Sequence, residues 1–480
     1  MERGCGILLP VSSLPCEYGF GCFSKDAFEF IDYLADLGVK YWQVLPLGIV
    51  DEVGSPYSSL SAYAGEPLYI DLSQFLSREE IQGFGLSNEL GFDEYRQRKM
   101  KALWYCFEKN NKELNLEKFL QKNEKWVYCF ATYISLVEKF GVGYSGFPEE
   151  YKDMNSTETA EFISENSKRI QFHIFLQYLF FEQWEKVKNY ANSKNVKIIG
   201  DVPIYCSMDS VEMYSNRNIF LLDNNGKPKY ISAVPGDYFN PEGQIWNNPL
   251  YDYKYLRQDN FKWWVDRLKH LNRFYDYIRI DHFRGFESFF AVPYGDTTVK
   301  NGKWINGPGM KIFKAFYDNG IKNLILEDLG IISNAVVALR KKTGLAGMKV
   351  MQFAFDGDPE NLNLPHKYTE NSVAYIGTHD NDTLIGLLSD EVQKERFCEY
   401  FNISKDTDKK TIVEIAIENL LSTKSNVCVL TMQDILFEDS ECRINTPGTT
   451  EGNWCYKLNP NYKNSEFNKY LKELIKLKNR

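Results

Sequence analysis

The sequence predicts an α/β fold, a (β/α)8 barrel with inserted, partly helical subdomains. Three observations point there. Eight short strand-like runs recur along the 480 residues, most of them preceded by a helix-period segment, which is the alternation and count such a barrel needs. Three of the runs end on a carboxylate, at Asp281, Glu327 and Asp380, and the last residue of a buried strand sits where a parallel sheet opens to solvent. A doubly wound open sheet would bring a Gly-rich phosphate turn after its first strand, and none follows that run here.

The strand-like runs lie at 5–10, 39–46, 197–203, 275–281, 323–328, 348–355, 372–380 and 427–434. Between the first two, 24–38 places Ala27, Phe30, Ile31, Leu34 and Leu37 on one stripe, with Ser24 as cap and Gly38 as stop. Similar patterns cover 262–274, 310–318, 333–342 and 410–422. About 150 residues separate the second and third runs, long against the ~250 residues of a plain barrel. Residues 90–195 are mostly helical by period, and their aromatic stripes read as packing surface. A second long connection, 204–262, is loop-like and rich in Asn, Gly, Pro and aromatics. The organisation expected is one catalytic barrel over 1–480 with a mostly helical insert at 50–195 and a substrate-binding loop region at 204–262.

Composition narrows the function. Hydrophobic residues make up 44% and charged residues 25% of the chain, ordinary for a globular protein. A net charge of −9 argues against nucleic-acid and anionic-membrane partners. No run of about 18 apolar residues appears, and the N-terminal stretch lacks the build of a signal peptide. The ten cysteines form no CxxC pair and read as free thiols in a reducing cytoplasm. None of the five histidines has HExxH spacing, so no dedicated zinc or other metal site is expected. Aromatics reach 15%, a surplus suited to stacking on flat ligand faces.

Three acids at one rim are costly to keep ionised together, so the rim is expected to use them. In RIDHFRG, Arg279 and Asp281 lie two apart on a strand and share a face. The guanidinium would hold Asp281 anionic, as a nucleophile requires, unless the two form a structural pair inside the barrel. In LILEDLG only one of Glu327 and Asp328 shares that face; Glu327 has the reach of a proton donor, and Asp328 is read as a helix cap. In THDND, Asp380 would stabilise a developing cation while His379 donates to a hydroxyl, or the motif is a polar turn. Asp201, ending the third run, binds substrate or anchors its loop. Segment 234–251 combines Tyr238, Phe239 and Trp246 with Asp237, Asn240 and Asn247; it stacks on sugar faces, or it is a patch under a long loop. Tyr57 and Tyr63, after the second run, have the same character.

Together with GILLPVSSLP, VLPLG, SPYSSLSAYAGEPLYIDL, GDVPIYCSMDS, GMKVMQFAF and NTPGTTEGNW, these motifs run in order from residue 6 to 454. The chain thereby resembles the 4-α-glucanotransferases (amylomaltases, disproportionating enzymes) of glycoside hydrolase family seventy-seven, in the α-amylase clan. The resemblance implies a hexosyltransferase without cofactor, with Asp281 as nucleophile, Glu327 as general acid/base and Asp380 as transition-state stabiliser. It implies that Arg279, His379, Asp201, Tyr57, Asp237 and Trp246 line sugar subsites. Maltooligosaccharides and starch- or glycogen-derived α-1,4-glucans would be substrates, and glucose an acceptor. The chain departs from the family pattern at NWCYKL, Cys16 and Cys206. An α-glucan hydrolase of the same clan is the alternative. A non-catalytic glucan-binding barrel would more naturally lack one of the three acids, and a nicotinamide-dependent barrel would want a phosphate loop where THDNDT and TMQD are acidic.

Overall fold

The structure, a computed structural model, describes residues 1–110, 116–236 and 242–480. Its strands are β1 (Gly4–Leu8), β2 (Tyr41–Gln43), β3 (Lys197–Val202), β4 (Tyr230–Val234), β5 (Gln244–Pro249), β6 (Tyr277–Ile280), β7 (Ser288–Pro293), β8 (Lys303–Asn306), β9 (Leu324–Leu326), β10 (Ala346–Val350), β11 (Ser372–Tyr375) and β12 (Val427–Thr431). Eight of them, in the order β1-β2-β3-β6-β9-β10-β11-β12, close into a barrel whose neighbouring pairs are all parallel. These are the eight runs read from the sequence. Each is short and apolar because both of its faces are covered, by the barrel interior and by the outer helices.

The helices between them follow local chemistry. Lys25–Leu37 starts at Ser24, whose hydroxyl accepts the Asp26 N–H, and stops at Gly38 with φ 82, the left-handed residue a helix end favours. Lys262–Leu271, Met310–Asp318, Asn334–Thr343 and Lys409–Ser422 fall on the other expected segments. One run is displaced: β10 spans 346–350, and Met351–Phe353 turns into a 3-10 helix. The apolar run continues past the strand because Phe355 is buried against Phe397, with ring centroids 4.2 Å apart. Hydrophobicity alone does not separate those two fates.

Four long helices, Phe92–Asn110, Glu117–Phe140, Thr157–Glu165 and Ser167–Ser193, fill much of the connection between β2 and β3. The last is buried on nearly every side and grips the chain after β2 through two amides. Gln177 accepts the Gly65 N–H at 2.8 Å and donates to the Gly65 carbonyl at 2.9 Å. Gln183 does the same at Asp71, at 2.7 and 2.9 Å. Each satisfies a backbone pair that burial would otherwise strand.

The stretch 204–262, expected to be loop-like, carries β4 and β5. With β7 and β8 they form a four-stranded antiparallel sheet, ordered β5-β4-β7-β8. Its small core is Ile231, Ala233, Phe290 and Val292. β5 is half-buried and β8 largely open to solvent, so their sequences lack the apolar signal of a buried strand.

Candidate active site

The carboxyl ends of the barrel strands assemble the site. β6 and β9 are neighbours with Ile280 opposite Leu326, so Asp281 and Glu327, the next residue on each, leave adjacent strands side by side. Asp201 and Arg279 face each other across β3 and β6. Arg279 uses one nitrogen twice, lying 2.5 Å from Asp201 Oδ2 and 3.0 Å from Asp281 Oδ1. Tyr57 donates its hydroxyl to the same Asp201 oxygen at 2.7 Å. Asp201 is thus buried and anchors both Arg279 and the loop bearing Tyr57.

Glu327 is held by backbone. The His282 N–H reaches Oε2 and the Leu329 N–H reaches Oε1, each at 2.7 Å. His282 adopts φ 51 and ψ 47, a left-handed conformation uncommon outside glycine, and that turn aims its N–H at the acid. Trp246 meets the His282 ring edge-on at 4.8 Å, which places the β5 strand against the residue that orients Glu327. Asp328 does not cap a helix: it accepts the Met348 N–H at 2.7 Å and pairs with Arg340 at 2.8 Å. The following helix is capped by Ser333 instead.

Asp380 lies in the turn after β11. Its Oδ1 accepts from the Asn445 amide at 2.6 Å, and its backbone carbonyl accepts from Arg443 at 2.6 Å. Its Oδ2 lies 3.3 Å from His379 Nε2. The Tyr57 ring stacks on His379 at 5.1 Å and 13°, and Trp454 joins them at 5.9 and 6.2 Å. The structure therefore brings Asp281, Glu327, Asp380, Arg279, His379, Asp201, Tyr57 and Trp246 to one rim; Asp237 lies outside the described residues.

Electrostatics revise one expectation. Arg279 does not hold Asp281 low. Burial pushes the Asp281 carboxyl up to about 8, and Asp201, Glu327 and Asp380 add to that against the opposing Arg279. Burial also raises Glu327, opposed by Arg279 and its two N–H donors. A guanidinium divided between two carboxylates cannot outweigh the desolvation of a pocket holding four. Burial keeps His379 below its usual range and His282 at about 3, so both are neutral.

Asn445, Arg443 and Trp454 contribute to this rim without having been singled out from the sequence. Asn445 is 65 residues from the acid it touches, and only NTPGTTEGNW, which contains both it and Trp454, marks the segment.

A closed parallel barrel with carboxylates gathered around one arginine and flanked by aromatic rings defines the class, a carbohydrate-active (β/α)8 enzyme. The chain belongs to the 4-alpha-glucanotransferase family, whose model matches residues 9–463. It is 40% identical over 467 residues to the 4-alpha-glucanotransferase of Clostridium butyricum, covering 94% of this chain and 95% of that one. It is 35% identical to that of Aquifex aeolicus, covering 98% of each. The amylomaltase from Streptococcus agalactiae, solved in complex with acarbose, superposes with a TM-score of 0.94 at 34% identity over the whole of both chains. The activity is 4-α-glucan transfer, a glycosyltransferase reaction.

Proposed function

We propose that this chain transfers α-1,4-glucan segments by double displacement with retention. Asp281 attacks the anomeric carbon while Glu327 protonates the leaving oxygen. The 4-hydroxyl of an acceptor glucan or glucose, deprotonated by Glu327, then releases the glycosyl-enzyme. Asp380 faces the developing positive charge, Arg279, His379, Tyr57, Asp237 and Trp246 contact the sugars, and Asp201 serves the same subsites by holding Arg279 and Tyr57. Maltooligosaccharides from starch or glycogen are the proposed donors, and acarbose is expected to bind the same rim. The helical insert at 50–195 and the segment 204–262 are the proposed substrate-enclosing subdomains, and the cytoplasm is the proposed compartment.

The observation that carries this reading is the register of β6 and β9. Neighbouring strands lie about 4.8 Å apart. Two acids leaving them in step therefore sit near the roughly 5–5.5 Å of retaining enzymes, not the 6.5–9.5 Å that leaves room for water in inverting ones. Burial raises both acids, so the pair shares one proton near neutrality and titrates as a unit. Of the two acids only Asp281 is in direct contact with Arg279, at 3.0 Å, which favours the ionised form there when the shared proton sits on Glu327. Once it is given up, the His282 and Leu329 N–H groups stabilise the carboxylate that remains.

Transfer competes with hydrolysis, and an acceptor wins only when it is bound at high effective molarity. Incubation with maltotriose is expected to give glucose together with longer maltodextrins, resolved by chromatography. Shortening alone would identify a hydrolase. Asp281→Asn is expected to lower kcat by about 10⁴-fold or more, and substantial residual transfer would remove Asp281 from its role.

A further inference from the structure

The loop after β1 carries two thiols outside the catalytic rim. Cys16 Sγ and Cys22 Sγ lie 3.7 Å apart, six residues from each other in the chain. Cys22 is buried and Cys16 half-buried, so Cys16 is the more accessible of the two and Cys22 the protected one. The loop is folded tightly around them. The Gly19 N–H bonds the Cys16 carbonyl at 3.2 Å, and the Gly21 N–H bonds the Ser12 carbonyl at 3.1 Å. A Cβ at Gly21 would fall 2.2 Å from the Val11 carbonyl oxygen, so only glycine permits this approach. Both sulfurs are thus held as neighbours by backbone.

The surroundings favour a thiolate at Cys16. Hydrogen bonding from Cys22, with the Lys99 cation nearby, brings Cys16 down to about 7, while Cys22 is raised. The loop also abuts the segment leading from Trp454. Lys457 donates to the Ser12 carbonyl at 2.7 Å and stands 4.7 Å from the Phe20 ring, and the Leu458 N–H bonds Ser13 at 2.8 Å.

We propose that Cys16 and Cys22 form a modification site, a dithiol that closes reversibly to a disulfide on exposure to peroxide and thereby displaces the 454–458 segment. The Cys16 thiolate attacks one peroxide oxygen; an S–O bond forms, the O–O bond breaks and hydroxide leaves. Cys22 then attacks the Cys16 sulfenic acid; the S–S bond forms, the S–O bond breaks, and the oxygen leaves as water with the Cys22 proton. The two sulfurs give up two electrons and the peroxide becomes two waters in all. An external dithiol reverses the change.

The test uses the whole enzyme treated with dilute hydrogen peroxide, followed by intact mass measurement, peptide mapping and kinetics on maltotriose. The expected result is loss of two hydrogens, a peptide joining Cys16 to Cys22, and a KM raised about twofold or more, all restored by dithiothreitol. Cys22→Ser is expected to stop at a sulfenic acid on Cys16 that dimedone traps. Cys16→Ser is expected to form no link while keeping basal activity. No link in the wild-type enzyme, or one joining Cys16 to Cys455, overturns the site. A complete link with an unchanged KM overturns the displacement of the 454–458 segment.

Discussion

Asp281 keeps 29% of its side chain open to the cleft, yet its carboxyl is pushed up to about 8. That has two measurable consequences. Deprotonation of the Asp281–Glu327 pair removes the general acid, so kcat/KM is expected to fall above about pH 8. A pH–rate profile flat to pH 10 would contradict this. Stability moves as well. The folded state holds a proton on the Asp281–Glu327 pair that the unfolded chain loses at ordinary carboxylate pH, so the pair's contribution is present at low pH and disappears as pH rises from about 4 to about 8. Asp281→Asn, which cannot ionise, is therefore expected to raise the melting temperature by about 1–3 °C at pH 8 and by less at pH 5, as differential scanning calorimetry would record. The three acids were legible in the sequence because Asp281 and Glu327 directly follow buried strands and Asp380 lies in the turn after a third. The proton balance among them was not, because it depends on Asp201, a fourth acid brought in by β3, and on Arg279 being divided between two partners.

At the scale of elements, the antiparallel sheet beside the barrel and the helical insert do different work. β5 carries Trp246 to the edge of His282, whose N–H holds Glu327. Trp246→Ala is expected to raise the hydrolysis-to-transfer ratio on maltotriose severalfold, by loosening both the sugar contact and that acid; an unchanged ratio in product analysis would count against this role for Trp246. The insert holds the chain after β2. Gln177→Ala would leave the Gly65 N–H and carbonyl buried without partners, at a cost of about 2–4 kcal/mol, seen as a lower urea midpoint. The barrel strands were legible because doubly buried strands are continuous apolar runs. β5 and β8 were not, since their partly exposed sequences with Asn, Gln and Lys look like loops; β4 and β7 are apolar and buried but lie outside the alternation of strand and helix that marked the barrel. The clamps at Gly65 and Asp71 were equally silent: a glutamine on a long helix gives no sign of which backbone it will meet 112 residues away.

At the scale of the whole molecule, the barrel is one closed ring, and its seam lies between β1 and β12. Arg480 ties the segment that enters β12 by donating to the carbonyls of Leu421 and Thr423, each at 2.7 Å, and to that of Ser425. Some of these carbonyls belong to the end of helix Lys409–Ser422, where oxygens lack helical partners and a cation is favourable. Arg480→Ala is expected to lower the melting temperature with kcat on maltotriose at 25 °C unchanged; a large loss of kcat at that temperature would mean that this anchor also shapes the rim.

The seam also sets an order of events on the ribosome. β1 is made first but lacks one of its two flanking strands until β12 has emerged. At about 5–20 residues per second that wait is roughly 20–80 s. For all that time the nascent chain presents an unpaired apolar edge able to pair with the wrong strand. The oldest strand is therefore the last to be enclosed on both sides.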